Sequence, residues 1–178
     1  MIGTLILSHG SLADELLAAA RTIAGGLDGF RAVSLDWSDG FDEAQTKIRE
    51  ALAVLDQGEG VLILTDMFGG TPCNVALTFL QPGKVEIVTG VNLPMVVRLA
   101  CLGNREMPIQ DVAAWLRDKG RSSICLASDV QGHSAPAVRS GTATDPCAEE
   151  APPGEGEGAR DGETVPRESV GTGREGGG

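Results

Sequence analysis

Residues 61–74 read VLILTDMFGGTPCN. The first five are an unbroken aliphatic run closed by threonine, the pattern of a strand covered on both faces, as in a parallel sheet with helices on either side. The next five, DMFGG, are turn chemistry. Thr71 and Pro72 then open a helix, because proline suits the first helical turn and threonine suits the N-cap. The expected helix runs over 71–80. Strand, short loop and helix in that order are half of a βαβ unit, and the rest of the chain repeats the pattern.

Towards the N-terminus, residues 4–8 (TLILS) are a buried strand. Residues 12–24 follow with Leu12, Leu16, Leu17, Ala20 and Ile23 at helical spacing, ended by Gly25 and Gly26. Residues 31–37 (RAVSLDW) are a second strand, and residues 42–55 a second helix with Ala44, Ile48, Ala51, Leu52 and Leu55 on one face. Towards the C-terminus come a fourth strand over 84–89, helices over 93–101 and 109–119, and a short last strand over 122–126 (SSICL). Strand and helix alternate four times, which specifies an α/β fold with a doubly wound, mainly parallel sheet. Such sheets bind ligands at the carboxyl ends of their strands. The chemistry is therefore expected just after Ser8, Trp37, Thr65 and Thr89.

Composition divides the 178 residues in two. Leu, Ile, Phe, Trp and Met all stop after Leu126, and residues 129–178 hold 11 of the 25 glycines and 5 of the 9 prolines. Such a segment buries too little apolar surface to offset its chain entropy, so 1–128 reads as one domain and 129–178 as a disordered acidic tail. The net charge of −11 is shared: residues 1–128 carry 10 basic and 15 acidic side chains, the remainder 4 and 10. Without a basic patch the chain is a poor partner for nucleic acid. No apolar run reaches the roughly 18 residues of a membrane span. MIGTLILSHG lacks the basic start and cleavage site of a signal peptide, so a cytoplasmic protein is expected. Cys73, Cys101, Cys125 and Cys147 form no CxxC pair, and in a reducing compartment they read as free thiols rather than metal ligands.

Three loops carry candidate chemistry. The first strand ends in Ser8-His9-Gly10-Ser11, and His9 is the sole histidine of residues 1–128. A lone histidine reads equally well as a capping or surface residue; its place at a strand's carboxyl end is what favours a functional role, with Gly10 allowing close approach or unusual backbone angles. Asp66 follows the third strand. If the first and third strands are neighbours, it can accept a hydrogen bond from one imidazole nitrogen and leave the other as a nucleophile; otherwise it is a turn residue. Gly69, Gly70 and Thr71 offer backbone N–H groups and a hydroxyl to an anion, or simply cap a helix. Asn92 reads better as a turn residue ahead of a helix than as a pocket residue. Asp36, Trp37, Ser38 and Asp39 either meet a partner protein or start a helix with a half-buried tryptophan.

The segments LILSHGSLADELLAAA, LTDMFGGTPCNVA and VTGVNLPMVV, in this order, resemble the three signature segments of the mannose-type IIA component of the sugar phosphotransferase system. The resemblance covers about residues 1 to 127. It implies that His9 accepts a phosphoryl group from the phosphohistidine of an HPr-like carrier and passes it to a histidine of a IIB component, so the chain is a phosphotransferase with a phosphohistidine intermediate. Asp66 matches the aspartate that orients the histidine, and Thr71 a hydroxyl near the phosphoryl group, with Gly10 and Gly70 beside it. Neither metal nor cofactor is implied. The family fold has four parallel strands and a C-terminal antiparallel strand exchanged between two subunits, so residues 122–126 imply a homodimer. Contact with the membrane is indirect, through the permease. The tail has the composition of a linker, but no IIB domain follows it within the 178 residues. A regulatory phosphoprotein, in which phosphorylation of His9 is a switch without sugar transport, is the alternative. A dihydroxyacetone kinase phosphotransfer subunit shares the fold and histidine but matches GGTPCN less well. A small chelatase shares the HGS motif but needs a further metal ligand at the pocket, commonly a second histidine.

Overall fold

The computed structural model describes residues 1–103 and 107–128; the expected tail lies outside them. Four strands and five helices alternate: β1 (Gly3–His9), α1 (Leu12–Ala24), β2 (Phe30–Leu35), α2 (Phe41–Leu55), β3 (Val61–Thr65), α3 (Thr71–Leu77), β4 (Val85–Thr89), α4 (Leu93–Leu102) and α5 (Ile109–Ser122). The strands form one sheet in the order β2-β1-β3-β4, and every pairing is parallel.

The alternation of side chains along buried strands builds two cores. Leu5 and Leu7 of β1, with Val61 and Ile63 of β3, face α2 and α3, where they meet Ile48, Ala51, Val75 and Ala76. Ile6, Leu62 and Leu64 point the other way, to Leu17, Val96, Val112 and Leu116 of α1, α4 and α5. Each fully buried leucine or isoleucine contributes about 1.5–3 kcal/mol of transfer free energy, so the continuous aliphatic runs of β1 and β3 are what make them the central strands.

Winding starts at β1, steps to β2 on one side, and returns across β1 to β3 on the other. The chain therefore parts between β1 and β3, and a crevice opens at their carboxyl ends. His9 closes β1, and Asp66 is the first residue after β3.

Four sequence expectations are corrected. Thr71 is the first residue of α3 and not its N-cap, which is Gly70 in an extended conformation. The helix stops at Leu77 because Thr78 and Phe79 donate to the carbonyls of Val75 and Ala76, a tighter closing turn, with the Thr78 hydroxyl also on Val75. The last helix does not stop at residue 119: Gly120 lets it pass Met95 of α4, whose Sδ would lie 2.6 Å from an added Cβ. As a result Ser122 belongs to α5, and among the described residues Ile124–Leu126 pair with no strand. Cys73 and Cys125 carry free thiols, whereas Cys101 is disulfide-bonded, against the expectation of a free thiol there.

Candidate functional site

Parallel pairing of β1 and β3 carries Asp66 to His9, 57 positions away in sequence. One carboxylate oxygen, Oδ2, accepts the backbone N–H of His9 at 2.9 Å and faces its ring Nδ1 at 2.7 Å. The other, Oδ1, accepts the backbone N–H of Met67 at 2.8 Å. A carboxylate can only accept, so Nδ1 carries a proton, and in the neutral ring the lone pair is on Nε2. Burial, the largest single influence on Asp66, pushes its carboxyl up. The hydrogen bonds from the His9 amide, the His9 ring and the Met67 amide together outweigh it and hold the group below its ordinary value.

Two further residues enclose the imidazole. Gly70 comes so close that a Cβ there would stand 2.7 Å from Cε1 and 3.3 Å from Nε2 of His9. Only a glycine leaves the ring in place. Trp37 stacks on the ring with centroids 5.0 Å apart and planes 25° from parallel. The His9 side chain is 19% exposed and that of Asp66 12%, so the site is half-buried and still open to a partner.

The sequence-predicted residues divide. His9, Asp66 and Gly70 are brought together. Gly10 adjoins His9 with φ of +52°, a left-handed conformation suited to glycine; its N–H is bound to the Leu35 carbonyl at 2.9 Å. Thr71 is exposed at the start of α3. Asn92 is a structural residue: its Oδ1 accepts from Met95 N–H at the start of α4, and its Nδ2 donates to the Gly120 carbonyl and the Ser123 hydroxyl at the end of α5. Trp37 is 87% exposed and not half-buried. Sequence reasoning missed two contributions. The Trp37 stack had no local signal. Asn74 closes the loop through Nδ2 on the Gly69 carbonyl, which its place one turn into a helix opened by glycines could have suggested. Met67 and Phe68 stand 56% and 76% exposed on the same loop. Among the described residues no group of three His, Cys, Asp or Glu side chains is arranged to hold a metal, and no helix is long and apolar enough to cross a membrane.

The model of the family described as "PTS system fructose IIA component" matches residues 3–114. The chain is 28% identical over 130 residues to the PTS system fructose-specific EIIA component of Bacillus subtilis, covering 72% of this chain and 88% of that protein. It is 27% identical over 124 residues to the PTS system mannose-specific EIIAB component of Escherichia coli K12, covering 69% of this chain but only 38% of that longer protein. Among solved structures, the mannose/sorbose-specific IIA subunit of Enterococcus faecalis is similar with a TM-score of 0.63 at 31% identity, covering 70% of this chain and 93% of the other. The PTS IIA protein associated with the fucose utilization operon of Streptococcus pneumoniae gives 0.65 at 28% identity, covering 72% and 95%. With 112 consecutive residues matched, including both strands and loops that form the His9 site, the chain belongs to the PTS system fructose IIA component family, the mannose-type IIA group that its signature segments resemble.

Proposed function

We propose that this protein is a phosphoryl carrier of a phosphoenolpyruvate-dependent sugar phosphotransferase system. His9 accepts the group from a phosphohistidine of an HPr-like carrier and hands it to a histidine of a IIB component. The observation that carries this reading is the 2.7 Å pairing of His9 Nδ1 with Asp66 in a chain of this family.

The step balances without a proton transfer to solvent. The Nε2 lone pair of His9 attacks phosphorus, the N–P bond of the donor breaks, and its bonding pair returns to the donor imidazole. The proton on Nδ1 stays on its bond to Asp66. The phosphorylated ring is a cation, and the Asp66 carboxylate stabilises it from the side away from the phosphoryl oxygens. The second transfer, to IIB, is the same step with His9 as leaving group. Positioning and electrostatics supply the catalysis. Gly70 leaves room beside Nε2, and Gly10 contributes room rather than a donor because its N–H is engaged. The Thr71 hydroxyl is the side-chain donor assigned to the phosphoryl oxygens. No metal enters the step.

The working unit in this reading is a homodimer of the domain formed by residues 1–128, reaching the membrane only through the permease. Support comes from the outer edge of β4, which no further strand of the described residues covers, and the groove of about 730 Å³ beside it, lined by Leu77, Leu80 and Ile87 among others and bordered by the chain's own Ile124.

Incubation with phosphoenolpyruvate, enzyme I and an HPr-like carrier tests the function. One acid-labile, base-stable phosphoryl group by intact mass, absent from His9→Ala, is the expected result. No addition from an active cognate carrier overturns it.

A further inference from the structure

We propose that Trp37 is a positioning residue for phosphoryl transfer: its indole, stacked on the imidazole of His9, holds the ring so that Nε2 faces the incoming group. The proposal rests on the phosphotransfer reading above for its kinetic consequence, but not for the stack itself.

The argument starts from register. His9 is paired with Leu35 across β1 and β2, and the Gly10 N–H continues the ladder to the Leu35 carbonyl. The turn that follows Leu35 is thereby carried to the edge where His9 sits. That turn is not loose. Asp39 Oδ2 accepts the Asp36 N–H at 2.9 Å, and the Asp39 N–H returns to the Asp36 carbonyl at 3.0 Å. Lys47 of α2 then fastens Asp39 at 2.7 Å. A turn closed on itself and tied to a helix presents Trp37 in a fixed place.

Trp37 does little for the fold. At 87% exposed it buries almost none of the area for which a core tryptophan is retained. Its ring contact is His9. A histidine ring turns about its Cβ–Cγ bond, a soft torsion. The hydrogen bond from Nδ1 to Asp66 restrains that rotation from one edge, and the indole restrains it from one face. Together they leave Nε2 a narrow range of directions, next to Gly70. An indole face also attracts a cation, so the stack strengthens when the ring becomes phosphorylated and positively charged.

The test has two readouts on the purified protein: parent, Trp37→Ala and Trp37→Phe. The first is proton NMR of the His9 ring. The parent's ring protons are expected upfield, under the indole ring current, and are expected to move downfield in Trp37→Ala, with thermal stability unchanged. Identical His9 resonances in the two proteins overturn the proposal, whatever the phosphotransfer result. The second is single-turnover transfer from a phosphorylated HPr-like carrier at saturating concentration. Misorientation of the nucleophile is expected to slow Trp37→Ala by about ten- to a hundredfold at saturation, with Trp37→Phe recovering most of the loss because a flat ring is restored. A change confined to the carrier concentration needed for half-saturation makes Trp37 a docking residue only and overturns the positioning role. If the parent accepts no phosphoryl group at all, the function proposed above falls, and the NMR comparison alone decides whether Trp37 orients His9.

Discussion

At the scale of single residues, the site is an imidazole held from several sides, and each hold is open to test. Gly70→Ala places a methyl 2.7 Å from His9 Cε1, a separation that forces the ring to turn away from Asp66 or the loop to shift. Transfer in single-turnover kinetics is expected to fall by about a hundredfold, with the urea midpoint lowered only slightly because the loop is exposed. Asp66→Asn keeps an acceptor but removes the charge that stabilises the phosphorylated ring, and about a hundredfold loss is expected there too. The same substitution has a pH signature. The folded-state carboxyl lies below its ordinary value, which is about 3.9 in an unfolded chain. Its contribution to stability is therefore fully present above about pH 4 and is lost as pH falls through the folded value. Urea titrations between about pH 4 and pH 3 should show the difference between parent and Asp66→Asn shrinking as pH falls. A difference that grows as pH falls contradicts the assigned direction.

Elements reveal which parts of this structure could be read in one dimension. The bounds of β3 and α1 are those the sequence indicates, because an aliphatic run ending at Thr65 and the pair Gly25-Gly26 are local signals. The end of α5 was not legible, since Gly120 is a breaker by propensity and a packing residue only because Met95 of α4 crosses there. The same holds for the site. Asp66 could be nominated from its place after a strand, but its partnership with His9 depended on β1 and β3 being neighbours, a property of the whole sheet. Trp37 could be seen as an aromatic residue after a strand. Its stack needed the β1–β2 register and the Asp39–Lys47 fastening, neither of which has a sequence pattern. Asn92 ties the start of α4 to the end of α5 through three hydrogen bonds. Asn92→Ala removes an N-cap and two donations to the end of α5, where the Gly120 carbonyl keeps the Ser123 hydroxyl, at a cost of about 1–2 kcal/mol. Chemical denaturation should show that loss, while transfer at His9, on the other loops, stays near the parent rate.

For the molecule as a whole, the homodimer proposed above would complete the sheet at its β4 edge. Among the described residues β4 is an edge strand, paired with β3 alone apart from a single bridge to Gln81, and an open edge is a site for strand addition. Beside it Leu77 and Leu80 are 42% and 45% exposed, while at the far end of the described chain Ile124 and Leu126 stand 80% and 66% exposed. Apolar side chains in the groove, and on a segment whose Ile124 borders that groove in its own chain, suit reciprocal exchange, in which residues 124–126, beyond the end of α5, lie along the partner's β4. A twofold exchange of this kind is closed and self-limiting, so it yields dimers and not fibres. Sedimentation equilibrium should then find the parent a dimer at micromolar concentration. Ile124→Asp combined with Leu126→Asp should sediment as a monomer, because two carboxylates cannot be buried in an apolar groove without partners. Phosphoryl acceptance by that monomer discriminates further. His9, Asp66, Gly70 and Trp37 all come from one chain, so the monomer should still take up one phosphoryl group, at a rate lowered only as far as loss of the partner loosens β4 and the Gly90 loop that follows it. A parent that sediments as a monomer removes the exchange and leaves the His9 chemistry standing. A monomeric variant that has lost all acceptance shows instead that the site is incomplete without the second copy.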